Sequence, residues 1–110
     1  MTARVAIRPA DLHRVWAVLD ASLPVGGKVF VFGSRAKGTL KRGADLDLAV
    51  DVGRPLTPSE VGRIADGFED SDLPYRVDVV DLQSASEAFR MIIARDQIAL
   101  PNRASTPGAR

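Results

Sequence analysis

Leucine and valine occupy every second position from Leu46 to Val52, and Asp45, Asp47 and Asp51 lie at three of the positions between and before them. Side chains alternate between the two faces of a β-strand, so this pattern predicts a strand with one apolar face. The apolar face would pack on the core, and the aspartates would lie on the opposite face.

Three segments have the three- and four-residue spacing of apolar positions that is typical of amphipathic helices. The first covers residues 9–23. The second covers residues 58 to about 70 and follows Thr57-x-x-Glu60, a capping box in which side chains satisfy free backbone amides. The third follows Ser-Ala-Ser-Glu at 84–87, which we interpret as another capping box. The expected inner face of this third helix consists of Phe89, Ile92 and Ile93.

Two further apolar runs, at residues 28–32 and 75–82, are rich in valine and aromatic residues and predict strands. The resulting order is helix, strand, turn, strand, helix, strand, helix. It predicts an α/β (α+β) fold, with a small mixed sheet and helices packed on one face. We expect one domain over residues 1–100 and a flexible, proline-containing tail at 101–110.

The charge is nearly balanced, with 15 Lys and Arg against 14 Asp and Glu and a formal net charge of +1. Such a chain has no overall attraction for nucleic acid or for an anionic membrane, so direct DNA binding is not expected. There is no cysteine, and no apolar run approaches the ~20 residues of a membrane span. These features favour a cytoplasmic protein.

Asp45 and Asp47 lie two residues apart on the same strand and therefore share a face. Carboxylate oxygens are ligands that Mg²⁺ prefers, and a pair of Mg²⁺ ions at a nucleotidyl-transfer site needs carboxylates from more than one direction. Asp78 is the best third candidate, because a lone acid within an apolar strand is costly unless it is paired or bound to metal. Asp81 is its rival, but it lies at the strand end, where an acid is common. Asp78 would also be the base that takes a proton from an attacking hydroxyl.

A second group of candidate residues begins at Gly33 and Ser34, where the first strand ends. A glycine allows the backbone to approach a phosphate closely, and the amides and the hydroxyl of such a turn are donors for anions. Four cations follow within eight residues, namely Arg35, Lys37, Lys41 and Arg42. Their position just before the paired aspartates suits a magnesium triphosphate.

The segment Gly33-Ser34-Arg35-Ala36-Lys37-Gly38, followed by Asp45-Leu46-Asp47, resembles the GS-x-A-x-G … D-x-D signature of the DNA polymerase β-like nucleotidyltransferases. The short chain most resembles their minimal (MNT) branch, which includes antitoxins paired with HEPN-domain toxins. The likeness covers about residues 15–100. Ala44 departs from it, since the family often has serine there.

The resemblance implies that Gly33 and Ser34, with Arg35 and Lys37, bind ATP or another nucleoside triphosphate. It also implies that Asp45, Asp47 and Asp78 are the catalytic residues and hold two Mg²⁺ ions. The acceptor hydroxyl would be a tyrosine of a cognate HEPN toxin, which AMP transfer would silence.

Two other functions are compatible with these residues. The chain could neutralise its partner by occlusion without catalysis, or it could be a small-molecule nucleotidyltransferase of the aminoglycoside-modifying type. Enzymes of the aminoglycoside-modifying type usually carry an additional acceptor-binding region, and we can assign no segment of this sequence to such a region. An exposed sheet edge or face would also allow a homo-oligomer.

Overall fold

A computed structural model describes residues 7–24, 26–33, 35–36 and 45–101 of the chain. The three helices and three strands that the sequence predicts are all present, and a short fourth strand is added to them. The elements in chain order are α1 (Pro9–Ser22), β1 (Lys28–Phe32), β2 (Leu46–Asp51), α2 (Pro58–Glu69), β3 (Val77–Asp81), α3 (Glu87–Asp96) and β4 (Ile98–Ala99).

The four strands form one mixed sheet in the order β3-β2-β1-β4. The pairings of β1 with β2 and with β4 are antiparallel, whereas β2 and β3 are parallel. A parallel pair needs a crossover connection, and α2 provides it between β2 and β3. Strand β4 could not be predicted, because a strand of two residues has no alternation of apolar and polar positions.

One face of the sheet carries the hydrophobic core. The register aligns Val31, Leu48 and Val79 across three neighbouring strands, and the first two of these are fully buried. Helices α1 and α2 contribute to the same cluster, which confirms that helices cover this face. Its most buried members from the helices are Leu12, Val15, Leu19, Ile64 and Phe68.

Helix α2 begins as the sequence predicts. The Thr57 hydroxyl accepts a hydrogen bond from the Glu60 amide at 3.1 Å, and the Glu60 carboxylate accepts one from the Thr57 amide at 2.8 Å. Arg54 donates two further hydrogen bonds of 2.9 Å to the same carboxylate. The hydrogen bonds from Arg54, together with the hydrogen bond from the Thr57 backbone amide, lower the pKa of Glu60 to about 2.

Helix α3 differs from the prediction in two ways. Its cap is Ser86, whose hydroxyl accepts from the Phe89 amide, whereas the Ser84 hydroxyl donates to Asp81 within the preceding turn. Its expected inner face is also wrong, because only Ile93 is buried, and Phe89 and Ile92 are 38% and 55% exposed. The Phe89 ring instead contacts the ring of Phe32 edge to face.

The end of the described chain is attached to α1. The Trp16 indole N–H donates a 2.8 Å hydrogen bond to the carbonyl of Pro101. Apart from Pro101, the tail expected at 101–110 lies outside the described residues. Among the helices of the described ranges, none has the length and apolar character needed to cross a membrane.

Candidate active site

Asp47 and Asp78 lie side by side on neighbouring parallel strands, where they are direct partners in the register. Partners in adjacent strands point to the same face, and Asp47 is offset by one residue from the core position Leu48. Both carboxylates therefore lie on the face of the sheet opposite the core. Asp45, two residues before Asp47 and exposed, has the same parity. The fold thus brings together the three acids that the sequence singles out.

The charges of this group act on Asp47. Partial burial raises its pKa above the usual value of 3.8, and the negative charges of Asp78 and then Asp45 raise it further. Like charges so arranged disfavour one another unless a cation lies among them. Arg76 forms an ion pair with Asp78, in which its Nε lies 3.4 Å from Oδ1, and this exposed pair stabilises little.

Gly33 ends β1 directly beside Asp47. Its φ is +76°, a conformation that residues with a Cβ rarely adopt, and a Cβ at this position would lie 2.5 Å from Oδ2 of Asp47. The backbone therefore approaches the carboxylate as closely as only glycine allows. The other expected phosphate ligands of this turn, Ser34 and Lys37, lie outside the described residues, as do Lys41 and Arg42.

The side chain of Arg35 is buried, so its charge is not exposed to solvent. It is 3% exposed, and its guanidinium carbon lies 3.9 Å from the centre of the Tyr75 ring. The Tyr75 hydroxyl donates a 3.1 Å hydrogen bond to Asp11, which is 1% exposed on α1. Sequence reasoning missed both Asp11 and Tyr75, because an acid in the first turn of a helix is common and gives no sign of burial.

Asp81 has a different environment from Asp78. Its register partner is the core residue Val50, so it lies on the other face of the sheet. Its carboxylate accepts hydrogen bonds from the Leu56 amide at 2.8 Å, the Ser84 hydroxyl at 2.7 Å and the Gln83 amide at 3.1 Å. Asp81 therefore holds together the turn after β3 and the segment that leads into α2.

The chemistry of the aspartate group fits a hard divalent cation, because three carboxylates adjoin and one of them has a raised pKa. Within the described ranges, however, no three acidic, histidine or cysteine side chains are already gathered as metal ligands. The carboxylates share a face and a neighbourhood, and side-chain rotation would have to complete a metal site.

Comparison with known proteins identifies the family of this chain. The family model described as "Polymerase beta, Nucleotidyltransferase" matches residues 27–106. The chain is a member of this nucleotidyltransferase family. The matched range contains Gly33, Asp45, Asp47 and Asp78, and the match confirms the family and the enzyme class predicted from the sequence.

A curated relative supports the same assignment. The nucleotidyltransferase is 36% identical over 104 residues to a Haemophilus influenzae protein named "Probable protein adenylyltransferase MntA". The alignment covers 94% of this chain and 90% of the relative.

Solved structures share the fold. A chain of a toxin–antitoxin crystal structure with AMP-PNP has a TM-score of 0.70 at 26% identity, covering 84% of the nucleotidyltransferase and 73% of that chain. A chain of the complex between a tri-AMPylated Shewanella oneidensis HEPN toxin and an MNT antitoxin has a TM-score of 0.66. This match covers 87% of the nucleotidyltransferase and 73% of the antitoxin complex chain at 22% identity, so it shows likeness of fold alone.

Replacing Gly33 tests the close approach to Asp47. We expect Gly33→Ala to lower the free energy of unfolding by more than the cost of a Cβ at positive φ, which is about 1–2 kcal/mol, because the methyl group also meets the Asp47 carboxylate. Gly53→Ala is the matched control, since its φ is +82° but nothing lies within 4 Å of its added Cβ. Urea unfolding and nucleotide binding of both variants are the measurements. Equal losses in the two variants would contradict this account.

The Tyr75 network predicts a shifted titration. Burial first, and the charge of Asp11 second, raise the pKa of Tyr75 from 10.0 to about 12. Between these values only the unfolded chain ionises, so the stability contributed by the neutral phenol is complete below about pH 10 and is lost as the pH rises towards 12. Tyr75 is the sole tyrosine, so near-ultraviolet absorbance follows it directly. Titration of the folded protein near pH 10, as in the denatured chain, would refute the network.

Proposed function

We propose that this nucleotidyltransferase transfers AMP from ATP to a tyrosine hydroxyl of a HEPN-domain toxin, and so acts as its antitoxin in the cytoplasm. The observation that carries the proposal is the placement of Asp47 and Asp78 as register partners on one face, with the Gly33 backbone against Asp47. This is an arrangement of carboxylates beside an anion-compatible turn.

The comparisons support the nucleotide and the partner. The curated relative is named as a protein adenylyltransferase, and one structural relative comes from a toxin–antitoxin structure with AMP-PNP. Another comes from a complex in which a HEPN toxin is AMPylated.

The triphosphate would lie along the turn that follows β1. Gly33 allows its backbone close to a phosphate, Ser34 would donate its hydroxyl, and Lys37 would add a positive charge. Arg35 was expected in this set from the sequence. Its burial against the Tyr75 ring favours a different role from direct phosphate binding.

Asp45, Asp47 and Asp78 would hold two Mg²⁺ ions. When bound, Mg²⁺ neutralises charge on phosphate oxygens and so favours attack at the α-phosphorus. Burial raises the pKa of Asp47, and the negative charges of Asp78 and Asp45 raise it further; bound cations would relieve this repulsion.

Asp78 is the proposed base. Its carboxylate takes the proton of the acceptor hydroxyl while that oxygen forms a bond to the α-phosphorus of ATP. The bond from the α-phosphorus to the bridging oxygen breaks, and pyrophosphate leaves with the electron pair. Asp78 suits this part because it lies on β3, an edge strand of the sheet, and its side chain is 44% exposed.

Replacing each of the two β3 aspartates by asparagine separates a catalytic role from a structural one. We expect Asp78→Asn to lower AMP transfer on the order of 100-fold or more, as for loss of a general base, without lowering the free energy of unfolding. Asp81→Asn should instead cost about 1.5–3 kcal/mol, because three donors lose a charged acceptor, and leave transfer intact. Transfer of label from α-labelled ATP and urea unfolding are the measurements. The reverse pattern would assign the catalytic carboxylate to Asp81 in place of Asp78.

An antitoxin that works by occlusion is the second candidate. Helix α3 exposes Met91 at 66% and Ile92 at 55%, and apolar side chains of this kind are frequent at protein contacts. The double variant Asp45→Asn/Asp47→Asn distinguishes the candidates in cells that produce the cognate toxin. We expect it to bind the toxin as the native chain does and to lose protection. Full protection by this variant would establish occlusion and defeat the proposed catalysis.

A further inference from the structure

We propose that Arg35 is a positioning residue, which anchors the turn after β1 to the fold through Tyr75 and so holds the phosphate-binding backbone beside the carboxylates. The nucleotide readout of this inference rests on the proposed function. The anchoring itself does not, because it is a property of the free protein.

The first support is the contact itself. The guanidinium carbon of Arg35 lies 3.9 Å from the ring centre of Tyr75, well within the distance at which a cation is attracted to an aromatic face. Arg35 is 3% exposed, so water competes little for its charge. A planar guanidinium also stacks on a ring in a way that a lysine ammonium does not.

The second support is that Tyr75 is itself held in place. Its hydroxyl donates to Oδ2 of Asp11 at 3.1 Å, and Asp11 is almost fully buried on α1. Arg14 and Arg8 lie 3.3 Å and 3.5 Å from the Asp11 carboxylate and offset its charge. The network therefore connects the turn to a helix of the core.

The third support is where the two ends of the contact lie in the chain. Arg35 follows Gly33 by two residues, and Gly33 abuts Asp47. At the other end, Tyr75 precedes Arg76, whose carbonyl accepts the Leu46 amide at 2.9 Å where β2 and β3 begin to pair. One stacking contact thus joins the segment of the expected phosphate turn to the start of the strand that carries Asp78.

A direct contact between Arg35 and phosphate would require different surroundings. A guanidinium that binds a triphosphate must present its N–H groups to the nucleotide, yet this side chain is 97% covered and packed on Tyr75. We therefore assign the anion-binding charge of the turn to other residues, and to Arg35 the task of keeping the turn in place.

The test uses the full chain and the variants Arg35→Lys, Arg35→Ala, Tyr75→Leu and Arg35→Ala/Tyr75→Leu. Arg14→Ala is the matched control, because it removes an arginine that contacts Asp11 but leaves the Arg8 ion pair, the Tyr75–Asp11 hydrogen bond and the Arg35–Tyr75 contact in place. Amide hydrogen exchange of Gly33, Arg35 and Ala36 is measured without nucleotide. We expect on the order of tenfold faster exchange in every Arg35 and Tyr75 variant, and unchanged exchange at these amides in Arg14→Ala.

The second readout is the dissociation constant for Mg²⁺ with AMP-PNP. We expect each single variant to weaken binding about tenfold and the double variant to be no weaker than the weaker single, because both residues act through one contact. Unchanged exchange would overturn the proposal. So would a loss in Arg35→Ala with none in Tyr75→Leu, since Arg35 would then bind phosphate directly. Failure of the native chain to bind AMP-PNP would refute the proposed function, and the exchange rates would still decide the anchoring.

Discussion

The repulsion between Asp47 and Asp78 is the constraint on which this site depends. Two carboxylates that are register partners on adjacent strands, about 4.8 Å apart at the backbone, are costly where nothing uses their charge. Burial first, and then the negative charges of Asp78 and Asp45, raise the pKa of Asp47, so its ionised form is disfavoured in the free protein. A surface that spends stability in this way is typical of a functional site, and here it belongs to a nucleotidyltransferase.

The fold makes this pairing unavoidable. The crossover through α2 brings β3 beside β2 in parallel, and the apolar alternation that seats Leu48 and Val79 on the core turns the intervening aspartates to the opposite face. Gly33 completes the arrangement, because the antiparallel pairing of β1 with β2 ends at the same place. The core and the site are therefore two consequences of one register.

Much of this was readable in the sequence, since the period of two from Leu46 to Val52 and the lone acid in an apolar run are local signals. The parts that the sequence does not encode depend on contacts distant in the chain. Arg35 resembles its cationic neighbours in the sequence, and only the structure shows its guanidinium packed on Tyr75, forty residues later. Likewise, the outer position of Ile92 follows from how α3 meets the sheet, which its spacing alone does not encode.

We propose that the paired carboxylates of Asp47 and Asp78 bind the cations of a bound triphosphate. The most direct measurement is a crystal structure of the chain with Mn²⁺ and a non-hydrolysable ATP analogue, in which anomalous scattering locates the metal. We expect metal in contact with the carboxylates of both Asp47 and Asp78, and phosphate against the backbone of Gly33. Metal and triphosphate bound away from these residues, with Asp78 still beside Arg76, would contradict it.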